Sequence, residues 1–367
     1  MPAVNANRLH ALFEKMVDLY SPSGKEEELA DFLESALTAA GLDVQRQQVE
    51  GSRANLLVSA GAGEEDLLFL GHIDTVPAYD MEHLGFTEDG GLCYGLGTAD
   101  MKSGCAAMIE AFVSATAGDA LPKNVLLALV VGEEETGDGT KALLDSRRFR
   151  EALVAEPTDL QPCLEHYGYV ELVVRAFGYR RHAAMSDRET NAIHGMLRFL
   201  IHLTDRIESD EPQTVLNIRD LHSSQLGFAV PDRCAAAVDL HIPPDLGAAD
   251  YAQSLRGFVE AELSASRASK HELEFLTLAD GFRVPDDADL TGQLRQVFAE
   301  QGRDWNPRAF KSHSDANLLH EAGCPPVILG PGQLAKAHTR DESVEFQQVL
   351  DAANIYAHLL TEGLESA

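Results

Sequence analysis

Basic residues are scarce in this 367-residue sequence: 29 lysines and arginines stand against 59 aspartates and glutamates, a formal net charge of −30. So acidic a chain is disfavoured as a partner of nucleic acid or of anionic membrane surfaces, which repel it. The excess is read either as a solvated acidic surface, as in a salt-adapted protein, or as a field that gathers cationic substrates and metal ions. Long apolar runs are missing too, and without about eighteen such residues in a row no membrane-spanning helix is expected. The N-terminal MPAVNANRLHALFEKM has neither the apolar core nor the cleavage-like end of a signal peptide. Cysteine is sparse and scattered, at Cys93, Cys105, Cys163, Cys234 and Cys324. An odd count without CxxC spacing argues against a disulfide framework and fits a reducing, cytoplasmic setting.

What is present is the pattern of an α/β protein. The length implies two domains. Arg8–Leu19 is helix-like, and SPSGKEEELADFLESALTAAG predicts a second helix, with Ser23 and Glu26 as a capping box and Gly41 as the stop. Short apolar runs at Asn55–Val58, Leu67–Leu70 and Val125–Val131 end in polar or glycine-rich turns, and the alanine-rich stretch Gly104–Ala117 reads as helix. Strands alternating with helices predict a mostly parallel sheet with helices on both faces, whose functional residues gather beyond the strand C-termini. From Tyr167 the style changes. Val170, Leu172 and Val174 alternate as on a half-buried strand, and Ile193, Met196, Leu197, Leu200 and Ile201 mark an amphipathic helix. Strands at Val215–Arg219 and Arg233–Ile242, a helix through Tyr251, Leu255, Phe258 and Val259, and a strand at Glu272–Leu278 complete a β-α-β-β-α-β, ferredoxin-like unit. The expected division is a catalytic domain of residues 1–165 and 286–367 interrupted by an α+β domain of residues 166–285. Helices at Leu290–Glu300, Asp315–Ala322 and Phe346–Leu364 and a strand at Pro326–Leu329 finish the first.

Five segments could carry chemistry. In FLGHIDTVP, a buried strand ends so that His72 and Asp74 emerge on one side; a neutral imidazole ligates zinc well, and a neighbouring carboxylate can fix its tautomer. GLGTADMKSG holds Asp100 in a tight turn at a helix entrance and matches neither the dinucleotide fingerprint nor the P-loop. LLALVVGEEETGDGT sets three glutamates at a strand end, where one can ligate a cation while a crowded neighbour serves as general base. LVAEPTD places Glu156 after a short apolar run, and LGPGQLAKAHTRDESV places His338 in a loop before the last helix. Singly, each also fits a strand-end histidine, a plain turn or a solvated acidic loop. Together they form a mixed histidine–carboxylate set suited to zinc, cobalt or manganese rather than calcium or magnesium. The cysteines lie outside it, which disfavours a structural zinc site.

In this order the five segments resemble the co-catalytic zinc deacylase and exopeptidase family of acetylornithine deacetylase, succinyl-diaminopimelate desuccinylase, aminoacylase and carboxypeptidase G. The resemblance spans essentially the whole chain. It implies two divalent ions per chain, zinc first and cobalt or manganese next, held by His72, Asp100 as the bridge, Glu134, Glu156 and His338. It also implies Asp74 as the carboxylate behind His72 and Glu133 as general base. The family's Asp-Glu-Glu aligns without a gap at Gly132, Glu133 and Glu134; one deletion would instead make Glu134 the base and Glu135 the ligand. His182, in GYRRHAA, matches a lid histidine that reaches the neighbouring subunit's site to stabilise the oxyanion, so a homodimer through the lid is implied. Asn217, in LNIRD, and Gly332, in GPGQ, match substrate-contacting positions. The sequence departs from the family at Ser223, Ser224 and Phe228, where a Gly-Gly-x-x-x-Asn run is usual, and at His241, where relatives often carry a substrate-gripping arginine; Arg180 or Arg181 could supply that charge. The activity implied is removal of the acyl group from a small N-acyl amino acid of acetylornithine type. The alternatives are a dipeptidase, carboxypeptidase or succinyl-diaminopimelate desuccinylase activity, or an inactive metal-binding relative.

Overall fold

The computed structural model describes residues 3–61, 66–78, 84–117, 124–187, 190–224, 227–265 and 270–361. The chain divides into two compact units, one of residues 1–164, 284–310 and 314–367, the other of residues 165–283 and 311–313. The short stretch Lys311–His313 thus groups with the inserted unit, although it follows that unit by almost thirty residues.

In the first unit, the strands Val125–Val130, Leu67–His72, Glu151–Val154 and Pro326–Ile328 lie side by side and parallel. Leu67–His72 and Val125–Val130 are buried at every position, which is why they read as unbroken apolar runs. Arg53–Ala60 and then Val44–Glu50 extend the sheet antiparallel beyond Val125–Val130. Val44–Glu50, VQRQQVE, is polar and half-exposed, an edge strand without the apolar signature that marks the centre. The helix Lys102–Thr116 is buried along nearly its whole length and packs on the final helix, Phe346–Thr361. Residues 362–364, expected to prolong that helix, lie outside the described residues. Among those described, no helix is long and apolar enough to cross a membrane.

The expected capping box at Ser23 and Glu26 is not formed. The second helix runs Glu27–Ala39 without a side-chain cap. Ser23 instead donates to Asp74 Oδ2 at 2.7 Å, and the fully buried Glu26 pairs with Arg53 at 2.8 Å. Long-range charge partners outcompeted the local cap.

The second unit is a four-stranded antiparallel sheet in the order Val215–Ser223, Arg233–Ile242, Gly168–Phe177, Lys270–Ala279. The helices Ala192–Asp210 and Ala248–Ala265 cover one face, over Val170, Leu172, Val174, Ala236, Val238 and Leu240. This is the β-α-β-β-α-β arrangement that the alternation predicted.

Candidate metal centre

His72 ends a parallel strand, Glu133 and Glu134 follow the end of Val125–Val130, and Glu156 follows Glu151–Val154. Three of the chemistry-bearing segments therefore leave the sheet at the same edge, the one where open α/β sheets place ligands. His72 is fully buried, with Nδ1 3.0 Å from the Asp74 main-chain oxygen and Nε2 3.1 Å from Asp100 Oδ1. Nδ1–H donates a hydrogen bond to that carbonyl, and in the neutral imidazole this leaves the Nε2 lone pair facing the carboxylates. The Asp74 carboxylate lies farther from Nδ1, at 3.5 Å. Its nearer partners are Ser23 Oγ and the main-chain NH groups of Glu133 and Glu134, at 3.2 and 3.1 Å. Asp74 thus ties the glutamate loop to the histidine strand.

That loop turns at Gly132, whose φ is +77°. A Cβ there would be strained and would also collide with the Asp138 carboxylate and the Arg53 guanidinium. Of the three glutamates, Glu133 and Glu134 point inward, with about a tenth or less of each side chain exposed, whereas Glu135 is exposed.

Among the described residues two groups of ligand-type atoms result, each with its atoms within 4.8 Å of one another: His72, Asp100 and Glu156, and Asp100, Glu134 and His338. Asp100 belongs to both, its Oδ1 toward His72 and its Oδ2 3.4 Å from His338 Nε2. His338 Nε2 is also 3.1 Å from Glu134 Oε2. Glu133 stands beside the first group, its Oε2 3.7 Å from His72 Nε2, and its frame partner Glu135 joins neither.

With protein groups alone the charges are poorly balanced. Burial, with the nearby carboxylates adding to it, pushes Glu133 and Glu156 well above the usual carboxylate range, and burial beside Asp100 raises Glu134. Burial would lower the His72 imidazole, but Asp100, Asp74, Glu133 and Glu156 hold it well above its ordinary value. Partial burial likewise works against charge on His338, yet Asp100 and Glu134 raise it to about 11. Glu156 Oε1 is buried without a hydrogen-bond partner. Converging carboxylates with an orphaned oxygen are what divalent cations satisfy, and the mixed nitrogen and oxygen donors fit zinc-like ions.

The other residues singled out in the sequence are placed as follows. Gly332, in the first unit, has φ +86° and donates its NH to Gln348 Oε1 at 2.9 Å. In the second unit His182 is exposed, and its Nδ1 accepts only from Ala184 N at 3.3 Å. Arg180 and Arg181 beside it face Asp232 and Asp187, at 3.4 and 3.8 Å. Asn217 donates to Asp239 Oδ2 at 3.2 Å, and His241 lies against the Tyr169 ring with its Nδ1 buried and unpartnered. Asn217 and His241 sit near the start of Gly168–Phe177, opposite Glu171 and Tyr169 through the intervening pairing, and His182 lies beyond its end. At 3.3 Å per residue the strand separates them by roughly 25 Å. One chain does not bring His182 together with Asn217 and His241.

Reading along the chain missed Ser23, Thr140, Asp315 and Glu342. Thr140 donates to the buried Asp315 at 2.6 Å, and that carboxylate helps to raise Glu133. The signal available was SHSDAN, a serine–aspartate pair at a helix start, which by itself reads as a cap.

The profile of Peptidase family M20/M25/M40 matches residues 68–362, which include every one of these ligand positions. The chain belongs to this family. It is accordingly a metal-dependent hydrolase of amide bonds. Among its M20 relatives, acetylornithine deacetylase of Salmonella arizonae is 28% identical over 329 residues, covering 83% of this chain and 82% of that one. Acetylornithine deacetylase of Proteus mirabilis is 27% identical, covering 91% and 89%. Among solved folds, a tripeptidase from Staphylococcus aureus superposes with a TM-score of 0.82 at 20% identity, covering 98% of each chain. A Bacillus subtilis protein described as a dinuclear metal binding peptidase from the M20 family gives 0.70 at 13% identity, covering 97% of each.

Proposed function

We propose that this M20 hydrolase holds two divalent ions, zinc first, and removes the acyl group from small N-acyl amino acids of the acetylornithine type. The observation that carries the two-ion reading is the sharing of Asp100 between two convergent ligand groups. His72 and Glu156 would complete one site, Glu134 and His338 the other. The substrate reading rests on similarity along nearly the full chain to acetylornithine deacetylases. When bound, such ions supply Lewis acidity toward a carbonyl oxygen and acidify water.

The rest of the chemistry belongs to side chains of this chain. Glu133, beside the ligand groups but in neither, is the general base in this reading: its carboxylate takes a proton from the attacking water as the new C–O bond forms. It then gives that proton to the amide nitrogen as the C–N bond breaks, leaving a carboxylic acid and a free amine. Asp74 keeps Glu133 and Glu134 in place through their main-chain NH groups.

The inserted unit is the lid and dimerisation domain in this reading, and His182 serves the partner subunit's site by donating to the developing oxyanion. Two features support it. His182 is exposed, and among the described residues its side chain accepts from Ala184 N of its own turn. Ile218 and Leu221 of the edge strand Val215–Ser223 and Leu197 and Ile201 of the helix Ala192–Asp210 are exposed, apolar groups that a second copy could cover.

The deciding experiment is a screen of N-acyl amino acids against dipeptides and tripeptides with metal-free protein reloaded with zinc, cobalt or manganese. Preferred hydrolysis of N-acyl amino acids is expected. Turnover of peptides alone would replace the deacylase reading by a peptidase, and no turnover with two ions bound would make the protein an inactive metal-binding relative.

A further inference from the structure

Glu342 is almost wholly buried, with 2% of its surface exposed, four residues beyond His338. Its carboxylate leaves the segment that carries His338 and enters the loop that carries Asp100. There Oε1 accepts from the main-chain NH of Ala99 at 2.9 Å and of Asp100 at 3.0 Å, and Oε2 accepts from Gly97 at 3.0 Å. Both oxygens are thus committed to three main-chain donors of one turn, those of Gly97, Ala99 and Asp100, which form a concave amide nest around the carboxylate. Main-chain pairing runs alongside: Gly95 N donates to Glu342 O at 3.3 Å, and Ser343 is in register with Tyr94. The buried Lys102 donates its Nζ to the main-chain oxygens of Met16 and Leu19 at 3.0 and 2.8 Å.

We propose that Glu342 is a positioning residue for the two-ion centre, locking the Asp100 loop to the His338 segment so that one aspartate can face both ligand groups. The inference rests on the two-ion reading above. The geometry distinguishes the two groups. His72 and Glu156 follow parallel strands whose pairing does not involve Glu342. His338, by contrast, sits on a loop with φ +57° and reaches Asp100 Oδ2 only while the two segments keep their mutual register. Removing the carboxylate leaves three NH groups without their acceptor, and the loop must shift to satisfy them. The group of Asp100, Glu134 and His338 should suffer more than the group of His72, Asp100 and Glu156.

The test uses full-length Glu342→Ala and Glu342→Gln proteins, stripped of metal and checked for native far-UV circular dichroism. Zinc is titrated against a chromophoric chelator, and amide hydrogen exchange is followed in the metal-free state. The expected Glu342→Ala result is a second equivalent weakened about 10- to 100-fold, the usual scale for losing a group that orients a ligand, a smaller loss at the first, and faster exchange at Gly97, Ala99 and Asp100. Glu342→Gln keeps one carbonyl oxygen for Ala99 and Asp100 and should recover part of the second affinity. If Glu342→Ala does not fold, Glu342→Gln alone decides, a selectively weaker second equivalent supporting the proposal. Two wild-type affinities in a folded variant, or an equal loss at both, would overturn it. A wild-type protein that binds fewer than two ions would instead refute the two-ion reading, while the exchange measurement would still report on the carboxylate lock.

Discussion

At the edge of the parallel sheet, ionisable side chains crowd together, mostly buried apart from the exposed His338, and almost every one meets another. His72 and Asp100 are 3.1 Å apart, His338 and Glu134 are 3.1 Å apart, and Asp74 gathers Ser23 and two main-chain donors. In the inserted unit the residues singled out by the same reading behave differently. His182 and Arg180 are exposed, and Asn217 answers only to Asp239. The first region has its ligand set within one chain and needs only cations. The second presents an exposed His182 that accepts from Ala184 N of its own turn, the form expected of a residue that acts on something brought to it. The contrast gives each region its own mode of failure. The first should fail through loss of metal or of a proton carrier, the second through loss of a partner.

The largest effect should come from the first region. Exhaustive chelation is expected to abolish hydrolysis, and zinc or cobalt to restore it; rates assayed beside metal analysis check this. Next, Glu133→Gln should retain the metals yet lose at least about 10²-fold in kcat, the scale of general acid–base catalysis. Glu134→Gln should weaken metal binding. A Glu134→Gln protein that holds both ions but is inactive, beside a Glu135→Gln protein that loses one, would shift the frame by one residue.

For the second region, His182→Ala should cost about 10²-fold in rate, as loss of an oxyanion donor does, with metal content unchanged. Mixing this inactive chain with Glu133→Gln should return activity, because one site of each mixed dimer receives both intact residues. Confirmed mixed dimers without activity would return the oxyanion role to a single chain or to none.

A subtler effect follows from the proton on His338. Its folded value, about 11, lies above the ordinary 6.5, so the pairing with Asp100 and Glu134 contributes fully below about pH 6.5 and fades as pH rises through 11. A metal ion competes with that proton. Metal affinity should therefore rise with pH and binding should release protons, measurable by calorimetry in buffers of different ionisation enthalpy. The smallest effect expected is that of Ser23→Ala, which removes one hydrogen bond to Asp74 and should lower stability by about 1 kcal/mol, read from urea unfolding.

The parts of the fold legible in the sequence share a cause. Val125–Val130 and Leu67–His72 are buried on both faces, so they stand out as apolar runs, and the residues just past their ends could be named as candidates. Val44–Glu50 could not be read, because an edge strand half in solvent carries no such run. The ligand candidates announced themselves by type: a histidine or a cluster of carboxylates at a strand end is unusual. Ser23, Asp315 and Glu342 did not, since each takes its meaning from a contact more than fifty residues away in sequence. Glu342 stands inside LGPGQLAKAHTRDESV, four residues past His338, and still its task is invisible until the Asp100 loop is folded against it. The same holds for Asp74, expected behind the imidazole and found chiefly under the glutamate loop.

The central claim is that one carboxylate serves two ions. It is tested most directly by zinc titration of the metal-free wild-type protein and of Asp100→Ala, with folding verified in both. The account predicts two equivalents per chain in the wild type and a loss of affinity at both sites when Asp100 is removed. A single equivalent in the wild type, or an Asp100→Ala protein that binds both ions as tightly as before, would contradict it.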